Sequence, residues 1–153
     1  MSYEAKLKEM GVVIPEPVKP LASYIPAVKV GNLVFTSGQI PMIAGKLQYV
    51  GKVGAEVTPE QANEAAKTCA INCLSAIKGV IGNLDKIESV FKVVGFVNSA
   101  PGFNAQPKVI NGASDFLGEV FGDAGKHARS AVGVSDLPID SPVEVEVIVK
   151  LKD

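Results

Sequence analysis

The chemistry this chain could do begins with Arg129, near the head of a run of otherwise small and apolar residues, HARSAVGV at 127–134. A guanidinium in such a setting needs a partner. Two uses fit it: an ion pair with a glutamate on a neighbouring strand, or a bidentate clamp for a ligand carboxylate, whose geometry the planar fork matches. Glu144 and Glu146 share one face of a strand reading VEVEV, and lie beside Arg129 if that strand pairs with the arginine strand across the SDLPIDS turn. A glutamate there could orient a water for attack or balance the arginine. Strand-face glutamates also commonly do no more than meet solvent. The only histidine, His127, is a candidate proton carrier that precedes the strand in a glycine-containing loop. Tyr24 and Ser37 supply hydroxyls, for which hydrogen bonding within turns is the simpler employment. The sequence holds no GxSxG, P-loop, GxGxxG or CxxC, so any chemistry rests on a looser constellation of this kind.

Cys69 and Cys73 are four apart within a helical pattern. Four helical residues rise about 6 Å, too far for an undistorted disulfide, so the pair reads as small apolar residues of a buried helix face. With the histidine far off in sequence, they make no metal site, and no metal or other cofactor is expected.

The elements that must position these residues are legible in part. Tyr3 to Met10 has the pattern of a short amphipathic helix that Gly11 can end, and the three prolines in 12–20 make an extended connector. AVKVGNLVFTSGQI at 27–40 is two strands split by Gly31-Asn32, a hairpin signal. The glycine-punctuated 42–56 stretch is a loop or holds a short strand around Leu47 to Val50. Thr58, Pro59 and Gln61 supply an N-cap, a first-turn proline and a capping-box glutamine. Small and apolar residues from Ala62 to Val80 then recur at three and four, predicting a helix that runs to Gly82. Ile87 to Val97 reads as a long strand with Gly95 as a bulge, Lys108 to Phe121 as a second large helix, Arg129 to Val134 as a strand, and Pro142 to Leu151 as a half-buried antiparallel strand. Two helices on one face of a mixed, mainly antiparallel sheet make an α+β two-layer sandwich, and the sheet's other face invites identical copies to cover it.

Composition bounds the partners. With 153 residues, 47% hydrophobic and 20% charged, the chain is expected to form one domain over 1–153, the 3–10 helix being an addition to it. The 15 basic and 16 acidic residues are scattered and sum to −1, which argues against nucleic-acid binding through phosphates. MSYEAKLKEM lacks the apolar core of a signal peptide, and no stretch approaches the roughly 20 apolar residues of a membrane span, so no membrane partner and a cytoplasmic location are expected.

Three stretches resemble the RidA/YjgF/YER057c/UK114 family, formerly labelled endoribonuclease L-PSP: AVKVGNLVFTSGQIP at 27–41, VFKVVGFVN at 90–98 and ARSAVGVSDLPIDSPVEVEV at 128–147. The first and third are the specific ones, the third through Arg129, Leu137-Pro138 and Val143 to Glu146. The N-terminal helix and the 42–56 stretch look like additions of a longer subgroup. The resemblance implies a chorismate-mutase-like fold, a homotrimer with pockets at its interfaces, and hydrolytic deamination of reactive 2-imino acids to 2-keto acids and ammonia without metal or cofactor. It places Arg129 on the arginine that binds the substrate carboxylate and Glu144 on the glutamate that holds the attacking water. Tyr24, Ser37, Gly38 and Asn111 fall on pocket-lining positions. Ala131 stands where imine deaminases of the family generally carry a cysteine or another polar residue, which implies a roomier, less polar pocket. Two other functions stay open: a non-catalytic trimer that binds small carboxylates through the same pocket, and the endoribonuclease activity some relatives are labelled with, which the acidic balance disfavours.

Overall fold

A computed structural model describes residues 2–19 and 23–153. The order after the first helix, α1 (Tyr3–Glu9), is β1 (Ala27–Val30), β2 (Leu33–Thr36), β3 (Met42–Ile43), β4 (Lys46–Leu47), α2 (Pro59–Ile81), β5 (Ile87–Asn98), α3 (Gln106–Phe121), β6 (Ala128–Val134) and β7 (Val143–Leu151). Five strands form one sheet in the order β1-β2-β7-β5-β6, while β3 and β4 pair as a separate small hairpin. Every neighbour in the large sheet is antiparallel except β5 and β6. That parallel pair is joined by α3, as a crossover connection requires. Both long helices cover one face, giving the expected α+β two-layer arrangement.

Local signals did most of this work. Gly31 takes φ +59°, which the tight β1–β2 turn needs. Thr58 accepts from Gln61 N–H at 3.1 Å while the Gln61 side chain accepts from Thr58 N–H at 3.0 Å, a reciprocal cap that starts α2 at Pro59. Val143, Val145, Val147 and Val149 are buried beneath the helices, so their alternation partners Glu144, Glu146, Ile148 and Lys150 must stand on the opposite, open face. Cys69 and Cys73 are free, buried thiols whose Sγ atoms point to the Val143 and Val145 carbonyls of β7. Burial pushes the Cys73 thiol up to about 12, and the Cys69 thiol is likewise raised, so neither is poised as a nucleophile. Among the described residues no helix is long and apolar enough to cross a membrane.

Two expectations need correction. The arginine strand does not pair with the VEVEV strand: β5 lies between β6 and β7, because β6 returns parallel to β5 after α3 and takes the sheet edge. Gly95 is not a bulge. The register shifts in β5 fall between Ile87 and Ser89 and between Val90 and Lys92. Gly95 instead lets α3 approach, since a Cβ there would lie 2.5 Å from Ile110 Cγ1. Gly112 does the same between the helices, where a Cβ would lie 2.8 Å from the Asn63 carbonyl carbon, which cannot yield as a side chain can. Gly112→Ala should therefore lower the unfolding free energy by about 1–3 kcal/mol despite alanine's better helix propensity, read from urea melts; a stabilised variant would mean that α2 and α3 separate without cost.

Candidate functional site

Arg129 is in register with Val93 of β5, which in turn faces Val147 of β7, and both valines are buried on the helix side. The arginine side chain therefore leaves the sheet toward α3. Its Nη1 donates to Asn111 Oδ1 at 2.8 Å and to Ser114 Oγ at 3.1 Å, while Nη2 only approaches the Pro107 carbonyl at 3.5 Å. Asn111 and Ser114 are three apart on α3 and so present both oxygens from one helix face. No carboxylate of the described residues lies within 4.0 Å of the guanidinium, so the ion pair with a strand glutamate is absent. Both Nη1 hydrogens are held by neutral acceptors. The Nε–Nη2 edge, itself a two-donor fork, is left for another acceptor.

Ser114 Oγ also lies 2.9 Å from His127 Nε2, and His127 Nδ1 is 2.6 Å from the Gly125 carbonyl oxygen. The histidine thus stands behind Ser114, with both ring nitrogens engaged. Ala131 follows Arg129 on the same face, in the row of Gly95 and Val145, and packs partly buried against the core.

Glu144 belongs to a second cluster. It is in register with Phe96 of β5, which faces Val132 of β6, and it rises from the open face. Burial lifts its carboxyl above the usual carboxylate range, and the charge of Glu146 adds to the shift. The segment after β2 is folded onto it. The β2–β7 register slips by one between the Phe35–Ile148 pair and the Gln39–Val145 bridge. The Val147 N–H freed there donates to Thr36 Oγ1 at 2.9 Å. Gln39 exchanges backbone hydrogen bonds with Val145 at 2.8 and 2.9 Å, which lays Gly38 directly under the Glu144 carboxyl. A Cβ on Gly38 would come within 2.7 Å of Glu144 Cδ, so only glycine leaves that carboxyl in place. Gly38→Ala should displace the carboxyl by about an ångström and cost up to about 10²-fold in any turnover that depends on it, with little change in melting temperature; unchanged kinetics would remove Glu144 from the chemistry.

The remaining hydroxyls flank Gly38. Ser37 Oγ donates to the Ile25 carbonyl at 2.6 Å and so fixes the entry to β1, the structural use its turn position suggested. Tyr24, 60% exposed, lines a cleft of about 490 Å³ with Pro26, Gly38, Gln39, Ile40 and Asn72. Arg129 is not among that cleft's walls. Arg129, Asn111 and Ala131 are thus brought together, as are Glu144 and Gly38, with Ser37 next in the chain; Tyr24 shares with Gly38 a cleft walled by Asn72, Ser75 and Ala76 of α2 and not by Glu144. The two sets stand on opposite faces of one sheet. Three residues along and two strands across put the Arg129 and Glu144 Cα atoms roughly 14 Å apart.

The match to known proteins is nearly end to end. Residues 4–151 fit the family described as "YjgF/chorismate_mutase-like, putative endoribonuclease". The chain belongs to the RidA/YjgF family. The protein Atu1372 from Agrobacterium tumefaciens, of unknown function, superposes with a TM-score of 0.91 at 43% identity, covering 98% of this chain and 92% of its own. Protein TCP17 of Trypanosoma cruzi is 38% identical over 150 residues, 97% of this chain and 94% of that protein. A 2-iminobutanoate/2-iminopropanoate deaminase of Dermatophagoides farinae is 33% identical over 138 residues, 90% of this chain and 91% of that enzyme.

Sequence reasoning missed Ser114, one serine in a helix with nothing local to mark it. Its spacing of three from Asn111 was the available signal. A second signal was compositional: of the 15 basic residues, Arg129 is the only arginine.

Proposed function

We propose that this RidA/YjgF protein hydrolyses small 2-imino acids to 2-oxo acids and ammonia in pockets that close between copies of the chain. The observation that carries the reading is the lone arginine, held by neutral oxygens, unpaired with any carboxylate of the described residues and presenting an Nε–Nη2 edge that meets only the Pro107 carbonyl, at 3.5 Å. Such a fork suits a ligand carboxylate. The 33% identical deaminase supplies the substrate class. In this reading Arg129 binds the carboxylate and Asn111 holds the arginine. Glu144 accepts a proton from water as its oxygen attacks the imine carbon and passes that proton to nitrogen, giving a carbinolamine; the carboxylate then takes the carbinolamine hydroxyl proton and delivers it to nitrogen as the C=O bond forms, the C–N bond breaks and ammonia leaves. An imine is already electrophilic, so orientation and exclusion of bulk water are most of what the protein must add.

One chain cannot assemble this pocket, because Arg129 and Glu144 face opposite sides of its sheet. A second copy can. The open face carries apolar rows, Val28–Phe35–Ile148 and Phe96–Val132, in which Val28 and Val132 are each 44% exposed. A closed ring of identical copies, a trimer by family likeness, would cover them while offering the Glu144 of one copy to the arginine edge of the next.

The test is an imine-decay assay with 2-iminobutanoate generated in situ, run on wild type, on Arg129→Ala, on Glu144→Ala and on the two variants refolded together. In a mixed ring a pocket is intact when an Arg129-bearing copy meets a Glu144-bearing copy, about one pocket in four at equal mixing, so about a quarter of wild-type activity should return. No recovery would end the shared pocket. Binding of 2-oxo acids without accelerated decay would favour a carboxylate-binding trimer, for which the partly buried, apolar Ala131 already speaks. RNA cleavage that survives Arg129→Ala would point to the endoribonuclease.

A further inference from the structure

We infer that His127 is a positioning residue for the Arg129 clamp, acting through Ser114, and that the pair sets how tightly the site holds the carboxylate of a 2-imino or 2-oxo acid. The inference rests on the reading that Arg129 receives a carboxylate. The Gly125 carbonyl can only accept, so at 2.6 Å His127 Nδ1 must carry a hydrogen. That carbonyl is anchored, because Gly125 is pressed on α3 so closely that a Cβ would lie 3.0 Å from the Leu117 carbonyl carbon. In the neutral ring Nε2 is then an acceptor, and the hydroxyl it meets at 2.9 Å is Ser114. A helical serine ordinarily turns its hydroxyl back to the carbonyl four residues earlier. Here the imidazole draws that hydrogen away and leaves an oxygen lone pair for Arg129 Nη1 at 3.1 Å. The bonds run one way, guanidinium to serine to imidazole to carbonyl, an order in which each donor polarises the next. Asn111 takes the other Nη1 hydrogen, so the fork is fixed in plane with its Nε–Nη2 edge outward. Without the imidazole the serine hydrogen is free to turn, one Nη1 bond weakens, and the arginine loses part of its preorganisation.

One histidine and one arginine make the test direct, since nitrogen-15 spectra show one imidazole and one guanidinium. In ligand-free protein the imidazole should be the Nδ1–H tautomer, and rotation of the Arg129 guanidinium should speed up in His127→Phe and Ser114→Ala but not in His127→Gln, whose Oε1 can accept in place of Nε2. Calorimetric titration with 2-oxobutanoate should show Kd weakened about tenfold in His127→Phe and Ser114→Ala, near wild type in His127→Gln, and no weaker in the double variant than in Ser114→Ala alone. Unchanged Kd and rotation in Ser114→Ala, an Nε2–H tautomer, or additive losses in the double variant would overturn the inference while leaving the clamp intact. If His127→Phe fails to fold, the wild-type tautomer and Ser114→Ala decide. If 2-oxobutanoate does not bind wild type, the parent reading falls and the ligand-free spectra alone decide whether His127 positions the arginine.

Discussion

Arg129→Ala should lower kcat/KM for 2-iminobutanoate by about 10²–10⁴-fold and remove measurable binding of 2-oxobutanoate, with melting temperature nearly unchanged. Two charge-assisted hydrogen bonds to a carboxylate are worth about 1.5–3 kcal/mol each, which sets that range. Stability should hardly move because the guanidinium makes no ion pair with the described carboxylates and its partners Asn111 and Ser114 sit where water can replace it. Arg129→Lys separates charge from geometry. An ammonium keeps the positive charge but cannot satisfy Asn111, Ser114 and two carboxylate oxygens from one plane, so it should recover less than a tenth of the lost activity. Full recovery by lysine would reduce Arg129 to a source of field. A large drop in melting temperature for Arg129→Ala would mean instead that the arginine's main work is to tie α3 to β6.

The contrast between Arg129 and Glu144 also shows what the sequence could and could not reveal. The capping box at Thr58 and Gln61, the Gly31–Asn32 turn and the alternation of 143–149 are local rules, readable because each depends on residues a few positions apart. Strand order is not local. The seven residues of SDLPIDS looked like a turn between paired strands, yet the parallel return of β6 puts the whole of β5 between them. The option of Glu144 balancing Arg129 failed with that pairing, since the face on which each side chain stands is fixed by the register through Val93 and Phe96. Gly95 misled for a related reason: a strand glycine signals close approach as readily as a bulge, and only the position of Ile110 decides. The family resemblance set Arg129, Glu144, Tyr24, Ser37, Gly38, Asn111 and Ala131 in one pocket; within one chain Arg129 meets Asn111 and Glu144 meets Gly38, a division that neither periodicity nor the resemblance drew.

Glu144→Gln should cost about 10²–10⁴-fold in imine hydrolysis, the range for loss of a positioned general base, while leaving 2-oxobutanoate binding to Arg129 largely intact. The pH dependence separates this from simple damage. Burial raises the Glu144 carboxyl, so in wild type the base form appears only above the usual carboxylate range, and kcat should climb with pH through that raised value before levelling. Glutamine cannot titrate, and its residual rate should lack the climb. Stability should change in the opposite sense to activity. Between the ordinary carboxylate value of the unfolded chain and the raised value of the native state, the native protein holds more protons, so stability falls as pH rises across that window. Above it the half-buried charge stays unfavourable, and Glu144→Gln should melt no lower than wild type at neutral pH, with any advantage shrinking as the pH is taken below the ordinary carboxylate range. A variant that melts lower at neutral pH, yet equals wild type in acid, would show that the ionised carboxylate is held by a favourable partner, and would move Glu144 from the attacking water to the scaffold.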